Sequence, residues 1–326
     1  MKTTAARHRR MCPTFDVALT RYLNEVSSLK KSHSQEISLA KVWRATNIIT
    51  RPLNRVTAID LMRLRDKWLI KYKPSTATRR LALLSHVYTV ARKDWQMHWL
   101  ANPVQLVRRP TVDDARDRRI FDRMRLNGVP VDECPKSELD WIARATRSPE
   151  LPIIILLAVE TAMRRSEIVL LKREQIDLTH GVVTLLDTKN GDARPVPLSP
   201  FAKYELRKYL AGKPTRGRIF TISPEAVTRA FIRATQKARR QYEALCKQHN
   251  RRPHPAYFHD LRFHDLRHEG CSRLASVFPI HKLAKITGHK TTRMLLRYYH
   301  PHGQDLAREL ARSSLGKWQT EQLRNR

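Results

Sequence analysis

Apolar residues recur every three or four positions through most of the first hundred residues, which is the spacing of amphipathic helices. Thr57 with Asp60 three positions later, and Ser75 directly after Pro74, are typical of helix N-termini. The pattern predicts four helices, over residues 15–29, 35–45, 57–70 and 75–94.

The helical pattern ends near Asn102-Pro103. The chain that follows is rich in charge and turn residues, including Arg108-Arg109-Pro110, Asp113-Asp114 and Asn127-Gly128. We therefore expect a basic tail over residues 1–11, a helical domain over 12–106, a linker over 107–135 and a second domain over 136–326.

The second half mixes helical and strand patterns. Helices are predicted over residues 136–146, 151–161, 200–210 and 224–248. Between them, the apolar run from Val182, the pair Asn190-Gly191 and the run ending at Leu198 predict a β-hairpin. The expected fold class is mainly α with a small antiparallel sheet (α+β).

The net charge of the chain limits the classes of molecule that it is expected to bind. Lys and Arg number 63 against 30 Asp and Glu, a formal net charge of +33. An excess of this size favours a polyanionic partner, and DNA is the first choice. No apolar run is long enough to span a bilayer, and no secretory signal is evident, so we expect a cytoplasmic protein with no membrane partner.

The four cysteines, Cys12, Cys134, Cys246 and Cys271, are scattered along the chain. No Cys-x-x-Cys pair occurs, so neither a zinc knuckle nor a disulfide framework is indicated. We expect reduced thiols and no metal site.

Candidate chemistry concentrates near the C-terminus. Arg267 can bind a phosphate oxygen through paired hydrogen bonds, and His264 and His289 can move protons or donate to the phosphate. Tyr298 follows as a possible nucleophile. Together these groups satisfy the needs of phosphodiester cleavage without a metal.

Several segments, taken in order, resemble the catalytic signature of the tyrosine recombinases, the phage integrase family. They are residues 160–168, the Thr188-Lys189-Asn190-Gly191 turn, the His264/Arg267 pair, Gly288-His289, and Tyr298 nine positions after His289. Residues 116–119, 160–167 and 263–269 look most like shufflon-type DNA invertases. The resemblance implies a helical SAM-like core-binding domain followed by a tyrosine-recombinase catalytic domain with a C-terminal helix.

The resemblance also assigns roles to basic and acidic residues. Arg164 and Arg267 would bind the non-bridging phosphate oxygens, a task that two guanidinium groups can perform without a metal. Glu167 would orient Arg164. Lys189, at the hairpin tip, would protonate the departing 5′ oxygen.

The remaining assigned roles concern proton transfer and attack. His264 would assist proton transfer, and His289 would hydrogen-bond the phosphate. Tyr298 would attack, which gives a 3′-phosphotyrosine and a free 5′ hydroxyl. Strand exchange would then proceed through a Holliday junction without ATP, and no cofactor is implied.

Four residues of the predicted fourth helix, Arg79, Arg80, Arg92 and Lys93, are candidates for DNA contact. The expected partner is double-stranded DNA at recombination sites, held as in a clamp by the two domains. The expected assembly is a monomer off DNA and a homotetramer on it, with accessory DNA-bending proteins as further partners. The apolar tail over residues 305–315 would dock on a neighbouring protomer or on its own domain.

Several alternatives stay open at this point. Tyr299 adjoins Tyr298, and the pair His259/Arg262 repeats the His264/Arg267 spacing. The family commonly has glycine where Ala162 and Ser166 stand, which bears on the turn that carries Arg164. A type IB topoisomerase or a non-catalytic DNA-binding protein derived from a recombinase are the rival functions.

Overall fold

The computed structural model describes residues 12–113, 116, 118–124, 126, 129–130, 133–186, 193–299 and 303–324. Its backbone divides into two compact units, residues 1–115 and 116–326. The fold class predicted from the sequence is confirmed, because helices dominate both units and a single small antiparallel sheet is found among the described residues.

The first unit consists of helices. They are α1 (Phe15–Glu25), α2 (His33–Arg44), α3 (Ala58–Lys71) and α4 (Pro74–Lys93). The predicted helix over 15–29 is shorter, because Val26 ends α1 and a separate 3₁₀ turn covers Ser27–Leu29. The predicted start at Thr57 is confirmed: its side chain accepts from the Asp60 backbone, and Asp60 accepts from the Thr57 backbone in return.

Large aromatic side chains fill the core of this unit. Trp43 from α2 is fully buried and packs edge-on against Phe15 and Trp68, with ring centroids 5.3 and 5.0 Å apart. Burial of these aromatic side chains, rather than helix propensity, holds the four helices together.

The second unit begins with α5 (Glu138–Ala145), α6 (Leu151–Thr161) and α7 (Arg165–Val169). Strands β1 (Ile176–Asp177), β2 (Val182–Leu185) and β3 (Arg194–Pro197) form an antiparallel sheet in that order. Val183 lies opposite Val196 in the β2–β3 ladder, and both are fully buried. The predicted hairpin is thus confirmed in its strands, whereas its Asn190-Gly191 turn lies outside the described residues.

Helices complete the second unit. They are α8 (Pro200–Leu210), α9 (Pro224–Gln248), α10 (Phe263–Ala275), α11 (Ile280–Thr287), α12 (Arg293–Leu296), α13 (Gly303–Arg312) and α14 (Ser314–Arg324). No helix among the described residues is long and apolar enough to cross a membrane.

Helices α6 and α10 pack unusually close to each other at Gly270. A Cβ added there would lie 2.6 Å from the Val159 carbonyl oxygen, so only glycine permits this approach. The consequence is that α10, which carries His264 and Arg267, is held directly against the end of α6, from which the Arg164 turn begins.

The segment predicted as a linker, 107–135, is divided between the units. Its later part contributes Ile120, Met124 and Cys134 to the core of the second unit. Arg116 donates to both carboxylate oxygens of the fully buried Asp265, at 2.8 and 2.7 Å. The described residues from 116 onward are therefore anchored to the second unit, because their ion pairs and apolar contacts are made there.

Candidate active site

Arg164 stands in a tight turn between α6 and α7. Ala162 has φ of 52°, the left-handed conformation that glycine adopts without strain. The Arg164 backbone N–H donates to Glu167 Oε2 at 2.7 Å, and its Nη1 donates to Oε1 at 2.7 Å. An alanine therefore occupies the left-handed position of this turn, and Glu167 fixes both the backbone and the side chain of Arg164.

A second arginine holds Glu167 from the other side. Arg194, at the start of β3, donates to Glu167 Oε2 at 2.7 Å and to Oε1 at 3.2 Å, and its Nε donates to the Ile286 carbonyl at 2.8 Å. Burial alone would raise the pKa of Glu167, but the hydrogen bonds from Arg194 and Arg164 outweigh it and lower that pKa. Glu167 is therefore ionised at neutral pH.

The sequence interpretation did not single out Arg194. A signal was present, because Arg194 and Val196 share one face of a strand whose Val196 side is apolar. An arginine at an inward strand position, only 5% exposed, indicates a buried ion pair.

Arg267 lies on α10 and is 6% exposed. Its Nη1 donates to the Ala162 carbonyl, and its Nη2 donates to the Thr287 carbonyl at 2.7 Å. Arg164 Nη2 donates to the next carbonyl, that of Gly288, at 3.1 Å. The two guanidinium groups therefore converge on one short turn.

Burial and nearby positive charges lower the pKa values of both Arg267 and His289. Burial lowers the pKa of Arg267 to about 10, so it stays charged at neutral pH. His289 follows the same turn, and its Nδ1 lies 2.6 Å from Thr287 Oγ1. Burial, with the charges of Arg267 and Arg164, lowers the pKa of His289 to about 4, which makes it neutral at pH 7.

Two histidines of α10 lie on one face of the helix with Arg267. His264 and His268 are four residues apart, and their rings meet edge-on with centroids 4.9 Å apart. Desolvation lowers the pKa of both, that of His268 to about 4. His268 was not among the predicted residues, although its spacing of one turn from His264 placed it on the same face.

The adjacent tyrosines have different partners. The Tyr298 hydroxyl lies 2.5 Å from His268 Nδ1. The Tyr299 hydroxyl instead donates to the Phe278 carbonyl. Burial raises the pKa of Tyr298, so its phenol is protonated at neutral pH. Among the described hydrogen bonds, the hydroxyl of Tyr298 is therefore the one that reaches the helix that carries Arg267.

The first His-Asp-Leu-Arg copy lies apart from this cluster. His259 is exposed, and Arg262 is an exposed residue at the start of α10 that pairs with Asp260 at 3.0 Å. Lys189 lies outside the described residues. The site as described thus contains Arg164, Glu167, His264, Arg267, His289 and Tyr298, with Arg194 and His268 as additions.

The candidate DNA-contact residues of α4 separate into two groups. Arg79, Arg92 and Lys93 are exposed. Arg80 is 5% exposed, because its guanidinium lies over the rings of Tyr72 and Trp68, 4.2 and 4.8 Å from their centroids. Arg80 is therefore a buried residue, and its contact with DNA stays a prediction.

Among the residues that the structure describes, no group of three or more His, Cys, Asp or Glu side chains could hold a metal ion. Positive charge at the site comes from Arg164, Arg194 and Arg267, of which the Arg194 charge is directed to Glu167.

The sequence is similar to those of known proteins. Residues 137–304 match the model of the phage integrase family. The shufflon-specific DNA recombinase of Escherichia coli is 34% identical over 307 residues, which is 90% of this chain and 70% of that protein.

Solved structures share the fold. The Tn1549 transposon integrase in complex with a circular intermediate DNA aligns with a TM-score of 0.62 at 16% identity, over 92% of this chain and 99% of that one. A lambda integrase tetramer bound to a Holliday junction aligns with a TM-score of 0.60 at 20% identity, over 90% of this chain and 79% of that one.

Proposed function

Because the chain belongs to the phage integrase family, the tyrosine recombinases, we propose that it is a site-specific DNA recombinase acting through a 3′-phosphotyrosine intermediate and a Holliday junction. The observation that carries the proposal is the contact between the Tyr298 hydroxyl and His268 on the helix of Arg267. It supports the proposal because a tyrosine that can attack lies beside a histidine that can accept its proton, on the helix of an arginine that can bind phosphate.

Arg164 and Arg267 bind the two non-bridging oxygens of the scissile phosphate. Each guanidinium carries five N–H donors, and the backbone and Glu167 contacts described above engage only some of them. The protein contacts fix each guanidinium plane, so the charge that develops on the non-bridging oxygens meets donors already in position. His289, oriented by the contact of its Nδ1 with Thr287 Oγ1, hydrogen-bonds the same phosphate through Nε2.

Tyr298 attacks phosphorus through its phenol oxygen. Its pKa is raised, so attack at neutral pH requires that the phenol proton leave as the bond to phosphorus forms. His268 is the nearest acceptor, and His264 flanks it to assist the transfer. The 5′ oxygen departs and takes its proton from Lys189.

The covalent link conserves the energy of the broken bond. A 5′ hydroxyl from a second site can therefore attack the phosphotyrosine and reseal the strand without ATP. Arginines neutralise the phosphate charge that metal ions neutralise in two-metal nucleases, and so we expect cleavage in chelator.

The wider assembly follows from the need for four active centres to recombine two sites. We propose a tetramer on double-stranded DNA and a monomer off it, with the two units closing around the duplex. Accessory DNA-bending proteins are further proposed partners. The proposed location is the bacterial cytoplasm. The solved tetramer of lambda integrase on a Holliday junction supports the analogy. Leu310 and Leu315 near the C-terminus are 57% and 51% exposed, which favours docking of the tail on a neighbouring protomer.

The test uses nicked suicide substrates taken from the flanks of the gene, incubated in chelator with the full chain. Wild type and Tyr299→Phe should form a covalent complex on a denaturing gel, and Tyr298→Phe should form none while binding DNA equally well. Loss only in Tyr299→Phe would transfer the nucleophile to that residue. Tight binding without any adduct, or relaxation of supercoils without strand exchange, would favour the rival functions.

A further inference from the structure

The first unit contains a basic cavity of about 920 Å³ between α2, α3 and the beginning of α4. Six cationic side chains line it: Lys41, Arg51, Arg63, Lys67, Lys71 and Arg80. One acid, Asp60, also lines it, but its carboxylate pairs with Arg51 at 2.9 Å and caps α3 through Thr57. The cavity therefore carries a strong net positive charge.

Arg80 is the buried member of this group. It is 5% exposed, whereas Arg63, Lys67 and Lys71 are exposed. Its Nε and Nη1 atoms are buried and have no hydrogen-bond partner among the described residues. Buried guanidinium N–H groups are nearly always paired, so two unpaired ones on a side chain that lines the cavity favour a ligand beside it.

The aromatic neighbours of Arg80 do not meet this need. Tyr72 and Trp68 contact the guanidinium by their rings, which stabilises its charge through the ring face. The N–H bonds of a guanidinium lie in its own plane, and an acceptor oxygen is still required there. The rings hold the group in place for such an acceptor.

We propose that this cavity is a phosphate-binding pocket. A phosphate group offers several acceptor oxygens to Arg80 and negative charge to the surrounding lysines, the combination that the lining provides. Two sources present the same group: a free inorganic phosphate, or a phosphodiester of bound DNA. Binding of a DNA phosphodiester rests on the proposed function, whereas binding of free phosphate does not.

The first experiment needs no DNA. Thermal unfolding of the full chain is followed in inorganic phosphate and in chloride of equal ionic strength, for wild type, Arg80→Met, Lys67→Met and Arg55→Met. Arg55 is exposed and does not line the cavity, so it controls for the loss of one charge. The catalytic arginines are intact in all four, so phosphate bound there contributes equally.

A ligand that binds only the folded state raises its Tm by mass action. We expect the phosphate-dependent rise in Tm to be smaller in Arg80→Met and Lys67→Met than in wild type and Arg55→Met. Equal rises in all four proteins would overturn the proposal. If Arg80→Met does not fold, Lys67→Met and Lys71→Met carry the comparison, since both residues are exposed and their loss leaves the core intact.

The second experiment separates the two sources. Affinity for duplex DNA is measured against salt concentration, where each phosphate contact contributes about 0.9 to the logarithmic slope. A slope reduced by about 0.9 in Arg80→Met assigns the pocket to the DNA backbone. An unchanged slope, with the phosphate-dependent Tm effect lost, assigns it to free phosphate. Covalent-complex formation is scored separately, so failure of the pocket and failure of the proposed function are distinguishable.

Discussion

Arg194 and Glu167 are joined by two hydrogen bonds, of 2.7 and 3.2 Å, although they lie on a strand and a helix 27 residues apart in the chain. Glu167 in turn holds Arg164, and Arg194 also binds the Ile286 carbonyl. Arg194 thus connects the hairpin, the Arg164 turn and the end of α11, and acts as a positioning residue for the phosphate site.

Replacement of Arg194 by Met should destabilise the second unit and slow cleavage. Without Arg194 the buried Glu167 keeps only Arg164 as a charged partner, and the hydrogen bonds lost from its carboxylate should cost about 1–3 kcal/mol. Chemical denaturation gives the stability, and single-turnover cleavage of a suicide substrate gives the rate. Arg207→Met, at an exposed position of α8, should change stability by less than about 0.5 kcal/mol.

Arg194→Lys distinguishes positioning from simple charge. Lysine keeps the charge beside Glu167 but cannot serve Glu167 and the Ile286 carbonyl in the same geometry. We expect the folded state to be partly restored and the cleavage rate to remain low. A cleavage rate equal to wild type would show that Arg194 contributes charge alone.

Gly288 supports the same junction from α11. It has φ of +67°, and a Cβ there would lie 2.8 Å from Arg194 Nη1. Gly288→Ala should lower stability by about 1–2 kcal/mol for the left-handed backbone, and should also displace Arg194 and reduce cleavage. Gly212→Ala is the matched control, because Gly212 has φ of +72° with nothing within 4 Å of an added Cβ.

Both glycine variants carry the same backbone strain, so denaturation should show that loss of stability in each, with a further loss in Gly288→Ala from the displaced Arg194. Only Gly288→Ala should lose cleavage activity at a temperature where both are folded. Similar cleavage rates in the two variants would mean that Arg194 can move without consequence for Arg164.

Arg267→Lys should reduce the cleavage rate by about 100-fold, the usual loss when a donor to transition-state charge is removed. A lysine cannot hold the Ala162 and Thr287 carbonyls and a phosphate oxygen together. Arg262→Lys, in the first His-Asp-Leu-Arg copy, should retain activity because the Arg262 side chain is exposed and pairs with Asp260, while its contact with Asp265 is made by the backbone, which the substitution keeps. The reverse result would assign catalysis to the first copy.

Two half-buried histidines, His268 and His289, predict a pH dependence of stability. The pKa values of His268 and His289 are lowered to about 4, below the ordinary value near 6.5. Between these values the unfolded chain binds more protons than the folded one, so stability is complete above about pH 6.5 and falls as the pH drops toward 4. Urea denaturation across this window measures the slope.

His268→Gln should flatten that slope, since glutamine does not titrate. It should also reduce cleavage by removing the acceptor of the Tyr298 proton. A His281→Gln control, at an exposed position of α11 where the side chain is solvated, should leave the slope unchanged. An unaltered slope in His268→Gln would show that its imidazole is not held neutral by burial.

Sequence reasoning was most accurate for elements whose periodicity and end signals agree. The bounds of α6, α8 and α9 are those predicted, because each combines an unbroken apolar spacing with a proline in its first turn. The linker was less predictable. Its charged residues predicted a solvent-exposed connection. Arg118 instead pairs with the buried Glu138, and Arg119 pairs with Glu269 at 2.9 Å. Partners this distant in the chain leave no local sequence pattern.

The sequence by itself determined the helical fold class, the hairpin strands, the basic character, and the order of arginine, histidine and tyrosine residues typical of the family. Tertiary structure alone decided which groups meet. It buried Arg80, joined Arg194 to Glu167 and set Tyr298 against His268. Local patterns follow from backbone periodicity within a few residues, whereas the partners of a buried charge depend on which helices pack together, and that is settled only when the whole core forms.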